Sequence, residues 1–119
     1  MIGYWLVALI AVLHLGILVL QMFLWQTAIA RRAFGTTDVF AANTRTFAAN
    51  QGLYNGFLAA GLIWALLLGV PGAGGEVAAF FLGCILVAGI YGGVTAARRV
   101  LYVQALPAAL ALGAVLAGV

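Results

Sequence analysis

The feature that most constrains this chain is a series of long apolar runs, separated only by short stretches rich in arginine or in glycine and proline. The runs are close to the roughly 20 residues that an α-helix needs to cross a bilayer. Of the 119 residues, 67% are hydrophobic and only 6% are charged, whereas soluble domains carry about 25% charged residues. The sequence therefore predicts an integral membrane protein.

Four membrane-spanning helices are predicted, forming one all-α four-helix transmembrane bundle over residues 1–119. Arg31 and Arg32 end the first helix, a cluster of proline and glycine at 71–75 separates the second from the third, and Arg98 and Arg99 end the third. The predicted helices cover about 2–30, 50–70, 77–97 and 103–119.

All five arginines lie in the connections that follow the first and third predicted helices. Because basic loops stay in the cytoplasm, this placement predicts cytoplasmic arginine loops and both termini outside. Phe40 and Phe47 in the first connection favour a segment that lies on the membrane surface. The net charge of +3 is too small and too dispersed for nucleic-acid binding, so membrane lipid is the expected partner.

A polar pocket that opens toward the cytoplasm is predicted in the arginine-bearing half of the bundle. Polar side chains in spanning helices usually face the bundle interior, and His14 would lie deepest, near the midplane. The predicted ligand-binding residues are His14, Gln21, Trp25, Gln51, Tyr54, Asn55, Tyr91, Thr95 and Gln104. The alternative is that these groups only hydrogen-bond between helices, at about 0.6–2 kcal/mol each.

Neither a metal nor a cofactor is expected. One histidine, one cysteine and no carboxylate within the predicted spans do not make a ligand set. His14 fits either a neutral imidazole that is hydrogen-bonded to a neighbour or a proton carrier.

Glycine pairs at four-residue spacing occur in the second and third predicted helices, Gly52 with Gly56 and Gly89 with Gly93. Small residues at this spacing let helices approach closely. The contacts can form within a protomer or between protomers, and the number of glycine faces favours a homo-oligomer.

Four strings together resemble the domain-of-unknown-function family number 1304, which comprises small bacterial four-helix membrane proteins. After His14 they are QMFLW at 21–25, NQGLYNGFLA at 50–59, GIYG at 89–92 and VQALPA at 103–108. The resemblance implies a bacterial inner-membrane location and no established activity. The family pattern usually has Glu where this chain has Gln21, which hydrogen-bonds but does not ionise.

A weaker resemblance is to the membrane-associated eicosanoid and glutathione metabolism proteins, which also have four helices and a basic first loop. The string RVLY at 99–102 is similar to one that they carry. Their second helix carries Arg, Asn and Glu, whereas this chain lacks the Glu and places Arg45 too far from Asn50. This departure argues against glutathione chemistry, and a small membrane enzyme similar to these proteins stays an alternative.

Three functions remain open, and whether the protein is an enzyme is undecided. The preferred one is binding or transport of a small amphipathic molecule that enters from the inner leaflet. The second is a membrane enzyme with His14 or Tyr91 as acid or base. The third is an accessory subunit of a larger membrane complex, acting through its glycine faces.

Overall fold

The structure, a computed structural model, describes residues 1–119 and is all-α, as predicted. Helices make up 87% of the chain and there are no strands. The helices are α1 (Ile2–Met22), α2 (Ala28–Phe34), α3 (Asp38–Asn43), α4 (Arg45–Leu68), α5 (Gly75–Thr95) and α6 (Leu106–Ala117). A π-helical turn, Leu101–Ala105, leads into α6.

The first helix ends at Met22, so its predicted end near residue 30 is wrong. The helical hydrogen-bond pattern changes here, because the Leu24 N–H donates to the Val19 carbonyl at 3.2 Å and the Thr27 N–H donates to the Leu24 carbonyl at 3.0 Å. Thr27 then starts α2, its Oγ1 accepting a hydrogen bond from the Ala30 N–H at 3.3 Å. A threonine N-cap of this kind satisfies a backbone donor that the new helix would otherwise leave unpaired.

Two short helices, α2 and α3, occupy the connection that was predicted as a loop. Gly35 ends α2 with a left-handed φ of 69°, a conformation that glycine adopts without a steric penalty. Thr37 caps α3, its Oγ1 accepting from the Phe40 N–H at 3.1 Å. An ion pair between Arg31 and Asp38 joins the two helices.

The chain forms two compact units, one of residues Val12–Ala59 and the other of Met1–Ala11 with Ala60–Val119. In the second unit, α5 packs closely on the turn before α6. A Cβ added to Gly89 would lie 2.7 Å from the Ala105 backbone nitrogen, and one added to Gly93 would overlap Leu101. The single-domain boundary stays a prediction.

The connection between α4 and α5 is the predicted glycine-proline break, Gly69–Ala73. Val70 is extended, with φ −128° and ψ 121°. Gly69 and Gly72 have φ of 107° and 140°, which other residues rarely adopt. Pro71 contributes no backbone donor, so the helix cannot continue through it and the chain turns.

Three helices are long and apolar enough to cross a membrane. They are α1, α4 with the turn after it (Arg45–Ala73), and α5, and in each no more than 28% of the most apolar window is buried. Such large exposed apolar surfaces suit lipid rather than water. The fourth predicted span is shorter, because the apolar helix Leu101–Ala117 has only 17 residues, about 25 Å at 1.5 Å per residue. The count of four equivalent spans is therefore corrected to three plus a shorter apolar helix.

The four glycines that favoured an oligomer all pack against residues of their own chain. Gly52 and Gly56 pack on the side chains of α1, and Gly89 and Gly93 pack on the turn before α6. Of the two arrangements that the spacing allowed, these four positions form the intramolecular one. A homo-oligomer that forms through the faces of these glycines stays a prediction.

Gly89 allows a direct test of the close packing in the second unit. We expect Gly89→Ala to lower the unfolding free energy by about 1–3 kcal/mol, because the added methyl meets backbone rather than a movable side chain. Gly83→Ala on the same helix is the matched control, since nothing lies within 4 Å of its Cβ position. Thermal unfolding in detergent measures both variants, and equal midpoints would contradict the packing.

Candidate functional site

In the unit Val12–Ala59, the candidate site begins where α1 and α4 approach most closely. A Cβ on Gly52 would lie 2.7 Å from Cγ of Met22 and 3.2 Å from the Leu18 carbonyl, and one on Gly56 would lie 2.6 Å from Cδ1 of Leu18. A methyl group at Gly56 would require the Leu18 side chain to move, whereas one at Gly52 would also crowd Gln21 Cβ and the Leu18 backbone carbonyl. The absence of a side chain, above all at Gly52, therefore allows the helices to approach closely at this level.

A buried amide pair joins the two helices at the same level. Asn55 Nδ2 donates to Gln21 Oε1 at 2.8 Å and to the backbone carbonyl of Gln51 at 3.1 Å. The side chains of Asn55 and Gln21 are only 5% and 8% exposed. Both donors of the Asn55 amide are thus used, while Gln21 Nε2 and Asn55 Oδ1 have no hydrogen-bond partner within the chain.

His14 lies two helical turns before Gln21 on α1 and is fully buried. It interacts with a partner within the chain. Its burial and its partner agree with the structural interpretation of a lone intramembrane histidine, although neither feature tests a role in proton transfer.

Trp25 lies in the turn after α1 and is fixed on two sides. Its Nε1 donates to Thr44 Oγ1 at 3.1 Å, and Thr44 Oγ1 donates to the Phe40 carbonyl at 2.7 Å. Its ring packs on Phe34 with centroids 5.1 Å apart. With Ala41 and Ala48, these contacts form a small core in which Trp25 is 9% exposed.

A half-open cavity of about 430 Å³ lies at the end of α1. Its volume is within the range of about 300–1,000 Å³ that is typical of small-molecule pockets. Its lining contains both apolar and polar residues, and it includes no histidine, cysteine or carboxylate. The lining residues are Met22, Phe23, Leu24, Trp25, Gln26, Thr27 and Arg45. Such a lining can hold and orient an amphipathic molecule, and its one hydroxyl, that of Thr27, is hydrogen-bonded to the backbone of Leu24 and Ala30.

Of the nine predicted site residues, the structure brings together the amides on α1 and α4. Asn55 contacts Gln21 and the backbone of Gln51, whereas the side chains of Gln51 and Tyr54 are exposed. Trp25 lines the cavity.

Three further predicted residues belong to the other compact unit. Thr95 Oγ1 donates to the Tyr91 carbonyl at 2.7 Å, and the Tyr91 side chain is 70% exposed. Gln104 is half-buried in the π-helical turn before α6. A single pocket that contains all nine side chains stays a prediction.

Gln26, Thr27 and Arg45 line the cavity and were missed from the sequence. Gln26 and Thr27 are adjacent polar residues inside an apolar run, and threonine is a preferred N-cap. That pair was the available signal that α1 ends early. A non-helical turn follows α1 where the sequence predicted about two more turns of helix. Arg45 carried no such signal, because its contribution depends on where that turn lies.

The chain belongs to the family described as Protein of unknown function (DUF1304), whose model matches residues 8–116. It is also similar to an uncharacterised protein, YpaA, of Lactococcus lactis subsp. lactis (strain IL1403). The two are 29% identical over 106 residues, which cover 87% of each chain. No solved structure matches the chain. The family assignment predicted from the sequence is thus confirmed, and the resemblance to the eicosanoid and glutathione proteins finds no support in these comparisons.

The amide pair can be tested with a double-mutant cycle on Gln21 and Asn55. We expect Gln21→Met and Asn55→Leu each to cost about 1–3 kcal/mol, because each leaves a buried partner without its hydrogen bond. The double variant should cost less than the sum of the two, and the difference measures the coupling between the side chains.

Gln51→Met is the matched control for that cycle. The Gln51 side chain is exposed and only its carbonyl accepts from Asn55, so its cost should stay within about 0.5 kcal/mol. Chemical unfolding in detergent measures all four variants. Strict additivity of the two single changes would show that the amides are not coupled.

Proposed function

We propose that this protein binds a small amphipathic molecule in the cavity at the end of α1, on the arginine-bearing side of the membrane. The carrying observation is the lining of that cavity, in which Met22, Phe23 and Leu24 supply apolar surface and Gln26 and Arg45 supply polar groups. A molecule with an apolar chain and a polar end matches both parts of this lining.

The position of the cavity along the chain supports an amphipathic ligand. It lies between the last residue of α1 and the first residue of α4, and both helices have the length and composition of a membrane span. The ends of spanning helices lie near the boundary between hydrocarbon and head groups. A molecule bound there keeps its chain in the apolar layer and its polar end at the membrane surface.

The residues around the cavity are held in place by their own contacts, which also supports ligand binding. The hydrogen bond to Thr44 and the ring contact with Phe34 hold Trp25 in one orientation. The glycine contacts and the Gln21–Asn55 hydrogen bond hold α4 on α1. A preformed pocket binds more tightly than one that must be ordered first.

Binding is favoured over catalysis because none of the cavity's side chains is a customary acid, base or nucleophile. Transport of the same molecule would require a second state that opens to the opposite side. An accessory role would leave the cavity without a ligand. Detecting a bound ligand therefore distinguishes a binding protein from an accessory subunit.

A cavity-filling variant tests the proposal. The exposed side chain of Gln26 lines the cavity, so Gln26→Trp should occupy its volume and exclude an amphiphile. Native mass spectrometry after mild extraction should show a bound amphiphile on the wild-type protein, with most of it lost from Gln26→Trp. Ile29→Trp is the control, because Ile29 is 68% exposed and does not line the cavity. A wild-type protein that carries no amphiphile, or equal occupancy of all three proteins, would overturn the proposal.

The orientation in the membrane is a second testable part of the proposal. Under the positive-inside rule, the five arginines support a cytoplasmic location of α2 and α3, with the connection after α4 outside. In a Cys84→Ala background, a membrane-impermeant maleimide should label Ala73→Cys in spheroplasts, and should label Ala42→Cys only after permeabilisation. Both introduced positions are exposed, so the reverse labelling pattern would show the opposite orientation.

A further inference from the structure

The one formal charge in the cavity lining is positive, the guanidinium of Arg45, and no carboxylate lines the cavity. The guanidinium of Arg45 makes no ion pair or hydrogen bond within the chain. Arg31, in contrast, pairs with Asp38 and donates from Nε to the Gln26 carbonyl at 3.3 Å. Arg45 therefore lines the cavity with a charge that is not paired within the chain.

Two backbone donors belong to residues that share the lining with Arg45, namely Trp25 and Gln26. The hydrogen bond from the Thr27 N–H to the Leu24 carbonyl closes a turn with Trp25 and Gln26 at its centre. The N–H groups of these two central residues have no acceptor within the chain. Successive unpaired backbone N–H groups in a turn form a recurrent anion-binding arrangement.

Two other polar side chains of the lining, those of Thr27 and Trp25, already form hydrogen bonds within the chain. Thr27 Oγ1 donates to the Leu24 carbonyl at 2.6 Å and accepts from the Ala30 N–H. Trp25 Nε1 donates to Thr44. The exposed amide of Gln26 adds both a donor and an acceptor, and no carboxylate lines the cavity to compete for the cation.

The geometry points to an oxyanion as the polar end of the ligand, so that the bound molecule is an amphiphile with a phosphate or carboxylate head group. This inference rests on the proposed function and names its substrate class. Arginine offers a planar fork of donors that matches either group in a bidentate manner. The apolar side chains of Met22, Phe23 and Leu24 then lie along the hydrocarbon chain of the same molecule.

A tryptophan reporter tests the head group directly. Trp5→Phe and Trp64→Phe replace two exposed rings, 64% and 54% accessible, and leave Trp25 as the sole tryptophan, inside the cavity lining. In dodecyl maltoside, this protein is titrated with 12-bromododecyl phosphate, 12-bromododecanoate and 12-bromododecanol, whose bromine quenches tryptophan on contact. The two anions should quench saturably at concentrations about tenfold or more below that of the alcohol, as expected for a charge-assisted contact.

Substitutions at two arginines provide the matched comparison. Arg45→Gln should bring the affinity of both anions to that of the alcohol, and Arg45→Lys should restore part of it. Arg32→Gln removes an equal charge from an exposed position on α2 outside the lining, so it should leave all three titrations unchanged. Unchanged binding of the alcohol to Arg45→Gln shows that the cavity is intact in that variant.

The outcomes separate this inference from the proposal on which it rests. Equal quenching by all three amphiphiles, with no effect of Arg45→Gln, leaves amphiphile binding standing and overturns the oxyanion head group. The absence of saturable quenching by any of them overturns the proposed function itself. Displacement of 12-bromododecyl phosphate by inorganic phosphate supports the oxyanion site and identifies the free anion as a sufficient ligand. Displacement only by unlabelled dodecyl phosphate supports a lipid-like source.

Discussion

The unit Val12–Ala59 depends on the close approach of α4 to α1 at Gly52 and Gly56. This approach brings Asn55 within hydrogen-bonding distance of Gln21, and the resulting bond is buried where no water is available to replace it. Met22, whose Cγ lies against Gly52, is both the last residue of α1 and part of the cavity lining. The contact that holds the helices together therefore also fixes one wall of the proposed binding cavity.

Hydropathy predicted the long helices well, because the length of an apolar run is a property that a sequence displays directly. It failed at the end of α1, where residues after Met22 are still largely apolar but the backbone leaves the helix. What ends the helix is a local exchange of hydrogen bonds, with Thr27 capping a new helix. A helical wheel continued through this point places Trp25 on one face with His14 and Gln21, yet Trp25 belongs to a turn and packs on Phe34.

Helical periodicity predicted which face of a helix a side chain lies on better than it predicted how deeply that side chain is buried. Gln51 and Asn55 share a face of α4 because they are one turn apart, and the structure does link them. The link, however, runs from Asn55 Nδ2 to the carbonyl of Gln51, so that one side chain is buried and the other points away exposed. Spacing gives no information on whether a side chain will bond to a neighbouring side chain or to the backbone of its own helix.

The competing interpretations of the polar residues, helix–helix contact and ligand binding, apply to different residues. Gln21 and Asn55 bond across two helices, and Gln21 contributes an acceptor oxygen that a glutamate would also supply. The contact therefore requires an acceptor oxygen at position 21 and no ionisable group. The donors at Gln26 and Arg45 have no acceptor in the chain and line the cavity. Because Gln21 and Asn55 lie buried in the contact between the two helices, whereas the unpaired charge of Arg45 lines a cavity, recognition is expected at the turn after α1 rather than at the amides.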